Sequence, residues 1–126
     1  MIYGIGTDIV HIQRIAESLS RFGDRFAQRI LSEAEMSGFL ASKRQAHFLA
    51  KRFAAKEALA KALGTGFRDG LSLRDIGVDN DHLGKPLLVF TPRAEQKLRD
   101  FGVGTAHLSL SDEQDYAIAF VTLEGK

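Results

Sequence analysis

The chain opens on an alternation with a period of two. Over residues 2–10, Tyr3, Ile5, Thr7 and Ile9 fall on one side and Gly4, Gly6, Asp8 and Val10 on the other, which predicts a β-strand. The period then lengthens: over residues 11–22, Ile12, Ile15, Ala16 and Leu19 form one helical stripe. A short helix is predicted over 25–31, and Ser32 with Glu35 makes a capping box that opens another. The longest helix is predicted over 45–63, where alanines and long side chains lose little entropy and Gly64 is a natural C-terminal stop.

The second half changes character. Residues 73–79 and 86–90 read as strands flanking the turn-rich Asn80-Asp81-His82-Leu83-Gly84-Lys85. Thr91-Pro92 opens a helix, by capping and by proline at its first position, and Gly102 ends it. Residues 105–111 and 116–123 form a hairpin around Asp112-Glu113-Gln114-Asp115. Helices dominate early and strands late, without a βαβ repeat, so the predicted class is α+β. With no internal repeat or linker, residues 1–126 are expected to form a single domain.

Composition narrows the class without naming a function. The 126 residues are 44% hydrophobic and 26% charged, ordinary for a globular protein and unlike a disordered or collagen-like chain. The absence of cysteine excludes disulfides, thiolate metal sites and a cysteine nucleophile. No apolar run approaches the roughly 20 residues of a membrane span, and the N-terminal segment lacks the basic leader of a signal peptide. A cytoplasmic protein is expected, with no membrane and no nucleic acid among its partners. The net charge of +1 conceals an uneven distribution. Residues 1–61 carry ten Lys or Arg against six Asp or Glu, and residues 62–126 seven against ten. The basic half can meet an acidic protein or a phosphorylated ligand, or the asymmetry is surface variation.

Two segments stand out chemically. Asp8 is a carboxylate in an early apolar strand, where it must be hydrated, paired or bound to a cation. Gly4 and Gly6 share its face and leave room for a bulky group beside it; the plainer alternative is an Asp that caps the following helix. On the long helix, Arg52 and Lys56 project into the same arc as Phe48, Leu49, Leu59 and Leu63, whereas Glu57 lies beside Phe53, Ala46 and Ala50. Glu57 and Lys61 are i,i+4 neighbours, either a modest surface ion pair or a carboxylate and an ammonium arranged for a hydrated ion and its phosphate. Two carboxylates on separate elements suit Mg²⁺, which keeps waters and shares them with substrate phosphates. No Walker loop or dinucleotide fingerprint is present: Gly64-Thr65-Gly66 lacks the Gly-Lys-Ser/Thr ending.

Other candidates are less specific. Gly84-Lys85-Pro86 offers a turn and a cation, or is a plain hairpin turn. His107, Ser109 and Ser111 share a polar strand face, which is a ligand surface or simply the solvated side of a sheet. Arg14, Arg21, Arg25 and Arg29 recur around the early helices, where they dock an acidic partner or are scattered surface charges.

Taken in order, Gly4-Ile5-Gly6-Thr7-Asp8-Ile9-Val10 and Phe48-Leu49-Ala50-Lys51-Arg52-Phe53-Ala54-Ala55-Lys56-Glu57-Ala58 resemble the holo-[acyl-carrier-protein] synthases, the small bacterial phosphopantetheinyl transferase family. Lys61, Gly64-Thr65-Gly66, Gly84-Lys85-Pro86 and His107-Leu108-Ser109-Leu110-Ser111 extend the resemblance over essentially the full chain. It implies an antiparallel sheet packed on one long and several short helices. The implied reaction moves the 4′-phosphopantetheine arm of coenzyme A to a serine of apo acyl carrier protein, releasing adenosine 3′,5′-bisphosphate, in support of fatty acid biosynthesis. By the same resemblance, Asp8 and Glu57 are the Mg²⁺ ligands, Lys61 stabilises or protonates the leaving group, and Glu57, directly or through a metal-bound water, is the base for the serine. Arg52, Lys61, Gly64, Gly84, Lys85, Pro86, His107 and Ser109 fall where the family grips coenzyme A. The resemblance further implies a homotrimer with sites between subunits, and places Arg14, Arg21 and Arg25 where the acidic carrier protein docks. One departure is visible: many relatives carry a histidine after the Ser-x-Ser, whereas Asp112 follows Ser111 here, so no role of that histidine carries over.

Overall fold

The strand expected at the N-terminus forms, and its glycine face is where the longest helix rests. The computed structural model describes residues 1–67 and 70–126. Strand β1 (Ile2–His11) is followed by helices α1 (Ile12–Phe22), α2 (Asp24–Ile30), α3 (Glu33–Ala41) and α4 (Gln45–Leu63). Strands β2 (Ile76–Asn80) and β3 (Pro86–Phe90), helix α5 (Pro92–Asp100), and strands β4 (Val103–Asp112) and β5 (Tyr116–Gly125) complete the order. Two antiparallel sheets result, a three-stranded one in the order β1-β5-β4 and a separate β2-β3 hairpin, so the α+β class holds.

The core lies between α4 and the three-stranded sheet, and small residues bring the two unusually close. Ala54, Ala55 and Ala58 of α4 are fully buried, as are Ala117, Ala119, Val121 and Leu123, the alternate residues of β5. A Cβ on Gly4 would sit 2.0 Å from the Ala62 carbonyl oxygen, and one on Gly6 would sit 2.0 Å from that of Ala58. The glycines of β1 therefore admit the backbone of α4. This corrects the expectation that they leave room for a ligand: the bulky neighbour of Asp8 is the protein's own helix.

Most predicted elements appear with shifted ends, each for a local reason. Strand β1 continues through His11, which occupies the N-cap position of α1 without a side-chain cap bond, so Asp8 is no helix cap. Residues 73–75 are a 3₁₀ turn and not strand, because Ser72 and Asp75 close their own capping box and Ser72 N donates to Asp75 Oδ2 at 3.2 Å. Ser32 and Glu35 form the capping box expected of them, and Gly64 ends α4 in the left-handed conformation at φ 80°.

Candidate active site

Asp8 stands in the middle of β1, opposite Ala119 of β5 and on the face that α4 covers. Lys61, in the last turn of α4, reaches across to it: Nζ donates to Asp8 Oδ1 at 2.8 Å and to the Thr7 carbonyl at 3.1 Å. The i,i+4 pair expected between Glu57 and Lys61 is therefore replaced by a pairing between helix and strand. Glu57 sits one turn before Lys61. Its carboxyl is pushed above the usual glutamate range by partial burial, then by the charge of Asp8, with Lys61 offsetting part of the effect. Asp8 alone pairs directly with Lys61 and Glu57 lies in the field of both, so with both carboxylates ionised the cluster holds one negative charge in excess.

That excess suits a divalent cation. Among the described residues no group of three His, Cys, Asp or Glu side chains converges. A hard cation here would take two protein carboxylates and fill its remaining positions with water or phosphate oxygens, the habit of Mg²⁺. The donor set fits.

A second cluster lies on the other flank of α4. Lys56 is completely buried, and its Nζ donates to Glu35 Oε1 at 2.6 Å, to the Ile30 carbonyl at 2.6 Å and to the Leu73 carbonyl at 3.1 Å. Three acceptors require three N–H donors, which identifies the ammonium. Burial lowers the lysine's pKa, and Glu35 works against that loss. Glu35 also accepts from Ser32 N and Val78 N, both at 2.9 Å, and its Oε2 lies 3.1 Å from Arg52 Nε. The sequence disclosed half of this. Lys56 in an apolar arc signalled a buried cation, but Glu35 read only as a helix cap.

The other predicted residues are dispersed over the molecule. Arg52 lies 140° around the helix from Glu57 by the helical period, stacked on the Phe48 ring at 3.8 Å. Gly84 takes φ 87° in a turn that Asp81 organises, its Oδ1 accepting from Leu83 N at 2.8 Å and Lys85 N at 2.9 Å. His107, Ser109 and Ser111 point to the exposed side of β4, while Leu108 is buried beneath. His107 Nε2 lies 2.7 Å from Glu124 Oε2, a partner that only the β4–β5 pairing brings near. Arg21, Arg25 and Arg29 line a cleft of about 420 Å³ with Phe22 and Phe26, and Arg14 is exposed on α1. A cleft of about 600 Å³ is lined by residues of α3, the β2-β3 hairpin and the 3₁₀ turn, and none of Asp8, Glu57 and Lys61 contributes to it.

Comparison with known proteins shows the family and the fold. Residues 4–121 match the model of the 4′-phosphopantetheinyl transferase superfamily. The holo-[acyl-carrier-protein] synthase of Vibrio parahaemolyticus is 54% identical over 123 residues, covering 98% of each chain. The crystal structure of the Neisseria meningitidis holo-[acyl-carrier-protein] synthase superposes with a TM-score of 0.94 at 48% identity, covering 98% of this chain and 99% of the other. That of a Bacillus anthracis holo-(acyl-carrier-protein) synthase in complex with CoA (3′,5′-ADP) superposes with a TM-score of 0.84 at 41% identity, covering 100% of this chain and 99% of the other.

Proposed function

The chain belongs to the holo-[acyl-carrier-protein] synthase family of the 4′-phosphopantetheinyl transferase superfamily, and on that premise we propose that it is a cytoplasmic, Mg²⁺-dependent transferase serving fatty acid biosynthesis. It moves 4′-phosphopantetheine from coenzyme A to a serine of apo acyl carrier protein, and residues 1–126 act as one transferase domain. The observation that carries the reading is the Asp8–Lys61 pair with a second carboxylate, Glu57, close enough to feel both charges.

The serine oxygen attacks the phosphorus that bears the pantetheine arm. The P–O bond to the second phosphate breaks, and adenosine 3′,5′-bisphosphate departs with the bonding pair. Glu57, directly or through a water, takes the serine proton. Lys61 stabilises or protonates the departing oxygen. Asp8 and Glu57 would hold Mg²⁺, which when bound neutralises charge on the pyrophosphate and on the leaving bisphosphate. Arg52, Gly64, the Gly84-Lys85-Pro86 turn, His107 and Ser109 grip coenzyme A. Arg14, Arg21 and Arg25 receive the acidic carrier.

The active form is a homotrimer with its sites between subunits. Supporting this, the outer face of the three-stranded sheet exposes Tyr3, Ile5 and Ile9 of β1 and Tyr116, Ile118 and Phe120 of β5, each 40% to 60% accessible. A contiguous apolar face of this kind marks an association surface. It is continuous with His107 and Ser109 across the β4–β5 register, so burying it against a second copy brings these two residues to a neighbour's ligand. The test is to incubate the protein with apo carrier protein, coenzyme A and Mg²⁺ and to map the product by peptide mass spectrometry. One phosphopantetheine on a single carrier serine is expected; an unmodified carrier in the presence of folded protein contradicts the reading.

A further inference from the structure

The buried cluster of Glu35, Lys56 and Arg52 is unbalanced in the opposite sense to the active site: one carboxylate serves two cations. Lys56 has nothing left to offer, since its three N–H groups all have partners and its side chain is fully buried. Arg52 does. Its Nε faces Glu35 at 3.1 Å, one Nη2 hydrogen goes to the Val78 carbonyl at 3.3 Å, and the guanidinium lies 3.8 Å above the Phe48 ring. The buried Nε–H makes no hydrogen bond, Glu35 being held to it by charge alone, and both Nη1 hydrogens and one Nη2 hydrogen remain to be offered. The side chain keeps 14% exposure, at a cleft of about 230 Å³ that Arg52 lines with Phe48, Val78, Asp79 and Val89. A ring beneath, a carboxylate's charge at one edge and a carbonyl beside it restrict the orientation of the guanidinium. A planar fork held in this way pays little entropy when it binds an oxyanion, and the exposed Asp79 only partly offsets its charge.

We infer that Glu35 is a positioning residue: it touches no ligand, but holds Arg52 so that the free edge of the guanidinium meets the anionic nucleotide end of coenzyme A. The inference rests on the transferase reading, in which Arg52 belongs to the coenzyme A site. Lys56 neutralises the carboxylate that performs this task, so the charge of Arg52 stays available to the ligand.

Calorimetric titration of coenzyme A in the presence of Mg²⁺, on wild type, Glu35→Gln, Arg52→Ala and the double variant, tests the coupling. Each single variant is expected to weaken binding about tenfold, and the double variant to bind no more weakly than Arg52→Ala alone. In turnover, Glu35→Gln should raise KM for coenzyme A while kcat stays within about twofold of wild type. Wild-type affinity in Glu35→Gln, a loss that adds in full to that of Arg52→Ala, or a fall in kcat at unchanged KM each overturns the inference. Should Glu35→Gln not fold, Arg52→Lys keeps the charge and loses the Nε edge. About tenfold weaker binding is expected of it, and unchanged affinity overturns the inference. A wild-type protein that binds no coenzyme A overturns the transferase reading itself, a result distinct from any difference between variants.

Discussion

Helix α4 carries two charge clusters, one on each flank, built from the same residue types and balanced in opposite directions. Beside β1, Asp8 pairs with Lys61, which is itself 56% exposed, Glu57 lies in the field of both, and the sum with both carboxylates ionised is one negative charge. Under α3 and the β2-β3 hairpin, Glu35 serves Lys56 and Arg52, and the sum is one positive charge. The difference is informative because burying a charge is expensive unless it is paired. In the buried cluster the lysine is saturated by three acceptors, and what remains over is directed to one residue at a cleft. In the open cluster the surplus is tolerated because solvent reaches it, and it stays available to a cation. One helix thus carries a cluster with surplus negative charge on one side and a cluster with surplus positive charge on the other.

The contrast is broken most completely at the open end. Asp8→Ala and Glu57→Ala are each expected to lower transfer by about a thousandfold or more, on the order of 4 kcal/mol of transition-state stabilisation, with melting temperatures close to wild type. Steady-state rates beside thermal melts check this, and near-normal turnover in either variant removes the metal assignment. Lys56→Met attacks the closed end. It leaves Glu35 buried without its strongest partner and should cost about 3–5 kcal/mol of stability in urea denaturation; a loss below 1 kcal/mol would mean that the cluster is hydrated.

Between the two clusters lies the contact that sets their spacing. Gly6→Ala places a methyl 2.0 Å from the Ala58 carbonyl, which must push β1 from α4. We expect a loss of about 1–3 kcal/mol by overpacking, together with a fall in transfer rate as Asp8 moves from Glu57. Wild-type stability and rate in that variant would show that the sheet can yield without moving the site.

The smallest effect is a matter of pH. Glu57 titrates higher in the folded chain than its usual value of 4.5. As pH rises from that value through the raised one, the folded state holds the proton that the unfolded state has lost, so this residue's contribution to stability falls. Bound Mg²⁺ favours the ionised carboxylate, so its affinity should rise over the same interval. Melting curves with and without Mg²⁺ should therefore diverge as pH increases. Parallel curves would detach Glu57 from the metal.

Much of this was legible in the chain. The alternation of β1, the alanine-rich α4 with its glycine stop, and the Ser32–Glu35 box all rest on interactions within a few residues, which is why periodicity found them. Asp8 was legible as an oddity for a different reason: a carboxylate in an apolar strand is costly enough to demand a partner. What failed was long-range. Lys61 pairs across 53 positions with Asp8, and Lys56 across 21 with Glu35. Spacing on one helix cannot reveal either partner, and it suggested Glu57 for Lys61. Gly4 and Gly6 do not disclose their neighbour, because a missing side chain looks the same whether a ligand or a helix fills the space.

The account depends most on the open cluster being the transfer site. Intact-mass measurement of apo carrier protein, incubated with coenzyme A and either wild type or Glu57→Gln, with Mg²⁺ and after its removal by chelation, puts this most directly. We predict one added phosphopantetheine with wild type and Mg²⁺ and an unchanged carrier mass in the other three mixtures. Equal modification by Glu57→Gln, or by wild type after chelation, would contradict it.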